Sequence, residues 1–386
     1  MTNGSERPMN VLIVDADAPE AFIVARCLAA SGAVALYGVG EAIGPVQKYG
    51  GSFKAVRDVG VAGESEAWLS AVQDAIEGWR IDVLLPISVR GLRRLAECEA
   101  RGALAQVAAP PSPPALAIEA VADKWRFGEF LRAHGLPHPE SFLPGRDGPS
   151  VLSALRPPLL IKPARSRGGV GIERSLDATQ AAARLAERDD AVDAVVQSEI
   201  DGADYGVNVL CRDGIVLAAT VQKTIKSSSA PFEFALGVEF VDEPELLQIA
   251  AKLIGALRWS GVANMDVRRE ATTGRFLILE FNARYWGSLL GSLSAGVNFP
   301  LLACRLALDE RVEATQAHNV RYFRGPGPVV AALTGGGDMR IRIGETDWRY
   351  YRGDWRGVSV WLAVSLWRSI VGLFGRNMSS PRELSP

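Results

Sequence analysis

The chain has 386 residues, 48% of them hydrophobic and 22% charged, with a formal net charge of −2. That length allows two or three domains with cores of their own, while the apolar content and balanced charge exclude a disordered chain and a wholesale nucleic-acid-binding face. Cys27, Cys98, Cys211 and Cys304 lie far apart with no CxxC spacing, which reads as buried thiols in a reducing compartment, not disulfides or a zinc site.

In chain order, residues 1–9 read as a disordered, polar start. Val11–Val14 is too short for a signal-peptide core, so a cytoplasmic location is the expectation. Residues 10–114 alternate apolar runs with helical stretches. Asn10–Val14 is a buried strand, Pro19–Ser31 an Ala-rich helix closed by Gly32, and Ala33–Tyr37 and Ile81–Pro86 are further strands. Strand–helix–strand repetition implies a parallel sheet with helices on its faces. Asp15 sits at the carboxyl end of the first strand, where open α/β sheets place ligands; it is either a substrate contact or a helix cap. No GxGxxG follows it.

The Pro-rich connector at residues 108–114 can propagate neither a helix nor a central strand and marks a domain boundary. Beyond it, Ala115–Ala133 is helical and carries Asp123-Lys124. His134 and His138 flank a Gly-Leu-Pro turn, with only one further histidine in the chain, so a histidine metal site has little support. Leu159–Pro163 is a strand ending in Lys162, followed by the loop Ala164–Ile172 with Ser166, Gly168, Gly169 and Gly171. Glycines let backbone N–H groups approach anionic oxygens, Ser166 can donate a hydroxyl, and Lys162 adds a point charge. The lysine precedes the glycines, so this is not a Walker A loop. A helix at Asp177–Arg188, strands at Ala194–Gln197, Tyr205–Arg212 and Ile215–Val221, and a helix at Phe299–Leu308 follow.

The densest chemistry lies in Asn264–Arg268 and Phe276–Arg284. Residues two apart on a strand share a face. Glu280, Asn282 and Arg284 therefore project together, with Leu279 and Phe281 turned away, and Asp266 and Arg268 share a side of the preceding strand. Pairing through a turn at Thr272–Gly274 would converge hard oxygen ligands beside two cations. That arrangement suits magnesium held against nucleotide phosphates.

These elements, in this order, resemble the ATP-grasp superfamily, in particular its carboxylate–amine ligases. The resemblance covers residues 10–315, with the specific motifs in 123–286, and includes Asn282-Ala283-Arg284-Tyr285-Trp286-Gly287-Ser288. It implies an α/β fold: a Rossmann-like parallel-sheet domain (10–114), then a two-subdomain ATP-grasp module (115–315; lid about 125–200, metal-binding part about 201–315). A small C-terminal extension (316–386) completes the chain. It implies ATP and Mg2+ as cofactors, with Mn2+ as a substitute, and Asp266, Glu280 and Asn282 as metal ligands. Lys124 and Lys162 would neutralise phosphates beneath the loop of Ser166, Gly168, Gly169 and Gly171. Backbone around Ser198, Glu199 and Ile200 would read adenine with Gln197 assisting, and Asp204 would hold the ribose. Arg284, with Arg268, would stabilise an acyl phosphate, and Lys223 or Lys226 falls where the family often places another cation. Gln197 stands where Glu is common, and Ala283 where Pro is common.

The implied reaction joins a small carboxylate to an amine with release of ADP and phosphate. A small-molecule kinase and a non-catalytic nucleotide-binding regulator are the alternatives. The extension carries Trp348, Trp355, Trp361 and Trp367, and residues 358–374 form an apolar stretch whose Ser365, Arg368 and Ser369 share one helical face. It is too short and too charged to span a membrane, leaving packing on the body, a homodimer contact or a weak membrane-surface contact as its uses.

Overall fold

The computed structural model describes residues 7–351 apart from 50, 61–64, 167, 228–231, 233–234, 313, 315 and 337–338, together with 356, 358, 359 and 363. Apart from 358, 359 and 363, the stretch 358–374, and with it most of the Trp-rich reading, lies outside the described residues. Among the described residues, no helix is long and apolar enough to cross a membrane.

The first domain is built on β1 (Met9–Ile13), β2 (Val34–Gly40), β3 (Ala55–Asp58) and β4 (Val83–Leu85), all parallel in the order β3-β2-β1-β4. Both faces of β1 are covered, as a parallel sheet requires. Val11 and Ile13 join the core that includes helix Ala21–Ala29, while Leu12 and Val14 pack into the one around Trp68 and Val72. Each fully buried aliphatic side chain here contributes about 1.5–3 kcal/mol. The Trp68 indole donates to the Val14 carbonyl at 2.8 Å, fixing helix Ser65–Trp79 to the sheet.

Asp15 resolves as a cap organiser. Its carboxylate accepts from the N–H groups of Ile87 (3.1 Å) and Ser88 (2.8 Å) and from the Ser88 hydroxyl. Ser88 in turn caps helix Val89–Ala100 through the Gly91 N–H. Burial pushes the Asp15 carboxyl up to about 6.

A small antiparallel sheet follows: β5 (Ser141–Phe142), β6 (Leu159–Pro163), β7 (Glu173–Ser175) and β8 (Ala194–Ser198), ordered β5-β8-β6-β7. Leu159, Ile161, Val196 and Leu185 give it a separate core. The third sheet is antiparallel throughout, ordered β13-β12-β9-β10-β11-β14. Its strands are β9 (Gly202–Arg212), β10 (Ile215–Lys226), β11 (Gly237–Phe240), β12 (Gly261–Glu270), β13 (Phe276–Asn282) and β14 (Val320–Phe323). Helix Pro244–Leu257 covers one face with Leu246, Leu253 and Leu257 against Val207 and Val209. Tyr285, Trp286 and Phe299 share the core that holds Val11 and Ile13, so the first domain and the third sheet are joined by continuous apolar packing.

The chain beyond residue 315, the expected end of the module, continues into the third sheet. β14 pairs with β11 and completes the sheet, and Asp347 fastens it by accepting from the Tyr322 hydroxyl and, at 2.6 Å, the Gly325 N–H. The extension through residue 351 is thus part of the same body.

Candidate active site

A cleft of about 280 Å³ opens between the small sheet and the third sheet. Its floor is the β12–β13 pair. Asp266 stands opposite Glu280 and Asn264 opposite Asn282 across the ladder. The Asn282 amide donates to Asp266 at 3.0 Å. Burial, and then the neighbouring Glu280, push the Asp266 carboxyl up to about 7. Two carboxylates forced together in a partly dry cleft are an environment that favours a cation between them. Among the described residues, no group of three or more His, Cys, Asp or Glu could hold a metal. The candidate set is instead two carboxylates and an amide oxygen, hard donors that fit Mg2+.

One strand-face expectation is corrected here. The register slips between Asp266 and Val267, which pairs with Ile278, so Leu279 is the extra residue of a bulge. It lines the cleft instead of facing away with Phe281.

The cations arrive from three directions. Lys124 opens helix Lys124–Ala133, whose N-terminus Asp123 caps, and its ammonium reaches the Ser166 carbonyl (2.6 Å) and hydroxyl (3.1 Å). It also lies 3.7 Å from Glu280. Lys162 at the end of β6 donates to the Gln197 oxygen at 2.6 Å, while the Gln197 amide donates to Ser141. The acceptor expected to meet adenine is therefore engaged by Lys162. Burial lowers the Lys162 ammonium to about 8, with Lys124 and Arg268 adding to the shift and Glu280 opposing it.

Arg284 touches the Tyr285 carbonyl (2.9 Å) and the Asn282 oxygen (3.3 Å), and lies 3.5 Å from Glu20 of the first domain. Arg268 is directed to the hinge between β8 and β9, binding Asp204 (2.7 Å) and the Ile200 carbonyl (2.9 Å). Gly202 permits that hinge, because a Cβ there would collide with the Arg269 carbonyl.

Gly168 and Gly169 line the cleft with positive φ, and Gly169 packs against the Phe232 backbone. Gly171 and Ser166 are not in the cleft lining; Gly171 packs on Pro163 and Ser166 receives Lys124. Ser198 and Ile200 line it, whereas the Glu199 carboxylate pairs with Arg174 at 2.6 Å, outside the lining. Lys223 is not brought in. Gln222 and Thr224 occupy the cleft face of β10, so strand alternation sends Lys223 to the other side, 5.9 Å from the Tyr205 ring.

Glu20, Phe232 and Arg324 are site residues that motif reading did not find. Arg324 follows β14 and lines the cleft against Gly287, where a Cβ would collide with its guanidinium. The glycine of the Trp-Gly-Ser motif is thereby explained, but nothing local marks its distant partner.

Fold and cleft together resemble those of ATP-grasp proteins. Residues 190–325 match a family model described as ATP-grasp in the biosynthetic pathway with Ter operon. A D-alanine–D-alanine ligase of Chromohalobacter salexigens is 33% identical over 175 residues, 42% of this chain and 54% of that protein. The chain thus spans about half the length of that curated relative. Among solved structures, the biotin carboxylase domain of Hydrogenobacter thermophilus 2-oxoglutarate carboxylase, determined with MgADP and bicarbonate, aligns with a TM-score of 0.63 at 16% identity, covering 82% of this chain and 74% of that one. L-amino acid ligase from Bacillus licheniformis aligns with a TM-score of 0.58 at 18% identity, covering 81% and 76%.

Proposed function

We propose that the chain is an ATP- and Mg2+-dependent ligase that activates a small carboxylate as an acyl phosphate and couples it to an amine, releasing ADP and phosphate. The observation that carries this reading is the meeting of Asp266, Glu280 and Asn282 with Arg284 on one cleft floor, below two lysines and a glycine loop. The likeness to D-alanine–D-alanine ligase and L-amino acid ligase supports the reaction class.

A carboxylate acylates poorly because oxide is a poor leaving group; phosphorylation supplies a better one. Backbone at Ser198 and Ile200 would meet adenine, and Asp204, steadied by Arg268, would take the ribose hydroxyls. Lys124 and Lys162 now rest on neutral oxygens of Ser166 and Gln197. Nucleotide binding would exchange these for phosphate oxygens, a stronger charge-assisted contact. Asp266, Glu280 and Asn282 would hold Mg2+, which would supply positive charge to offset the charge of the phosphates during transfer. Arg284, oriented by Tyr285 and Glu20, would stabilise the acyl phosphate and the tetrahedral oxyanion formed by amine attack. Gly168 and Gly169 would let the loop close and exclude water.

The buried thiols Cys27, Cys98, Cys211 and Cys304 support a reducing, cytoplasmic setting. Membrane-surface or homodimer contact through residues 358–374 stays part of the proposal, and co-sedimentation with anionic liposomes tests the former. The reaction is tested by measuring ADP and phosphate release with Mg-ATP across pooled amino acids and carboxylic acids, with mass spectrometry of products. Equal ADP and phosphate with a product of acid plus amine minus water is expected. ADP with a phosphorylated product would make the protein a kinase, and nucleotide binding without turnover on any pool would point to a regulator.

A further inference from the structure

On the cleft face of the third sheet a single row of polar side chains crosses four strands, two of the side chains lining the cleft. Thr220 of β10 stands opposite Asn208 of β9, Asn208 opposite Asn264 of β12, and Asn264 opposite Asn282 of β13. All four are buried, Asn208 completely. Their neighbours along β9 on this same face become apolar at Leu210, and the other face of the sheet is aliphatic and aromatic. A buried amide is tolerated only with its hydrogen bonds made. Here they are made in one direction. The Asn282 amide nitrogen donates to Asn264 at 3.1 Å, Asn264 donates to Asn208 at 3.0 Å, and Asn208 donates to Thr220 at 3.0 Å. The Thr220 hydroxyl meets Ser292, which accepts from the Trp286 indole.

Direction matters because an amide has two unlike ends. With its nitrogen held between Asp266 and Asn264, Asn282 presents its oxygen to the cleft, where Arg284 approaches it. Turned over, it would aim an N–H at the metal position and an oxygen at the Asp266 carboxylate. The Asn264 oxygen that receives Asn282 faces the right way only while the Asn264 nitrogen is received by Asn208.

We propose that Asn208, which does not itself line the cleft, is a positioning residue that acts through Asn264 to fix the metal-facing oxygen of Asn282. This rests on reading Asp266, Glu280 and Asn282 as the metal set. Asn208→Leu keeps volume and removes both ends of the relay. Asn208→Asp keeps the acceptor for Asn264, and the Thr220 hydroxyl can turn to donate.

The test is Mn2+ affinity in the presence of ADP, read by electron paramagnetic resonance, beside ADP affinity in EDTA. Asn208→Leu should weaken Mn2+ by about tenfold, the lower range for outer partners of metal ligands, with metal-free ADP affinity kept. Asn208→Asp should recover most of the loss. Val209→Ala, buried on the opposite face of the same strand, should lower the melting temperature and leave Mn2+ affinity alone. Should Asn208→Leu not fold, Thr220→Val, at the far end of the row, should give a smaller weakening of the same kind. Unchanged Mn2+ affinity in folded Asn208→Leu or Thr220→Val overturns the proposal, as does a parallel loss of metal-free ADP binding. Asn282→Ala and Glu280→Ala separate the levels: if both leave Mn2+ affinity unchanged, the metal set and the relay fall together, and if they abolish it while Asn208→Leu does not, only the relay falls.

Discussion

Asp266 and Glu280 face each other directly across β12 and β13, and Glu280 adds to the burial that makes Asp266 hard to ionise. Glu280→Gln should remove that repulsion. The expected result is a melting temperature in EDTA no lower than that of the unaltered protein, although the contact with Lys124 is lost. Turnover should fall by about a thousandfold or more, since several kcal/mol of charge stabilisation is withdrawn. Calorimetry and an ADP-release assay measure the two effects, and retained turnover would remove Glu280 from the metal set.

Lys162 gives a pH signature. Its ammonium is lowered to about 8, so it is charged below that pH and neutral above it. A bound phosphate favours the charged form, so metal-free ADP affinity should decline as pH rises through 8, by about tenfold per unit at most. Titration calorimetry in buffers of different ionisation enthalpy should show proton uptake on binding above pH 8. Lys162→Met should flatten the profile.

Gly287 and Arg324 form a second testable pair. Gly287→Ala inserts a Cβ into the Arg324 guanidinium and must displace it. Misplacing a site cation in this way can lower turnover by about a hundredfold. Metal-free ADP affinity should remain. Arg324→Ala should give a similar loss, and adding it to Gly287→Ala should lower turnover little further.

Asp15 should behave as a structural residue. Asp15→Ala leaves the buried N–H groups of Ile87 and Ser88 without their acceptor, at about 1–3 kcal/mol for each unsatisfied group. Urea unfolding should register the loss, Asp15→Asn should be milder, and ADP affinity should be unchanged by either. A selective fall in substrate use with normal stability would instead make Asp15 a substrate contact.

What the sequence made readable was local. The alternation Glu280, Asn282, Arg284 showed which residues could share a cleft, because two-residue periodicity is a property of the backbone. The same rule misplaced Leu279, since one inserted residue reverses parity and a bulge at Asp266/Val267 has no sequence mark. Lys223, placed by resemblance with Lys226 as its alternative, stands one position away from the cleft face that Gln222 and Thr224 hold. Glu20 and Arg324 were invisible because tertiary packing delivers each from a remote segment. The pairing of β14 beyond residue 315 was not legible because that strand is recruited by an open sheet edge and not by its own composition.

That recruitment orders events in time. During synthesis β11 emerges well before its neighbour, and until Val320–Phe323 arrives its outer row of backbone donors and acceptors has no strand to pair with. Exposed edges of this kind template association between chains. A nascent or prematurely terminated chain that stops short of β14 therefore meets the hazard of joining another copy before it can close its own sheet, and Asp347 is the latch that ends that interval.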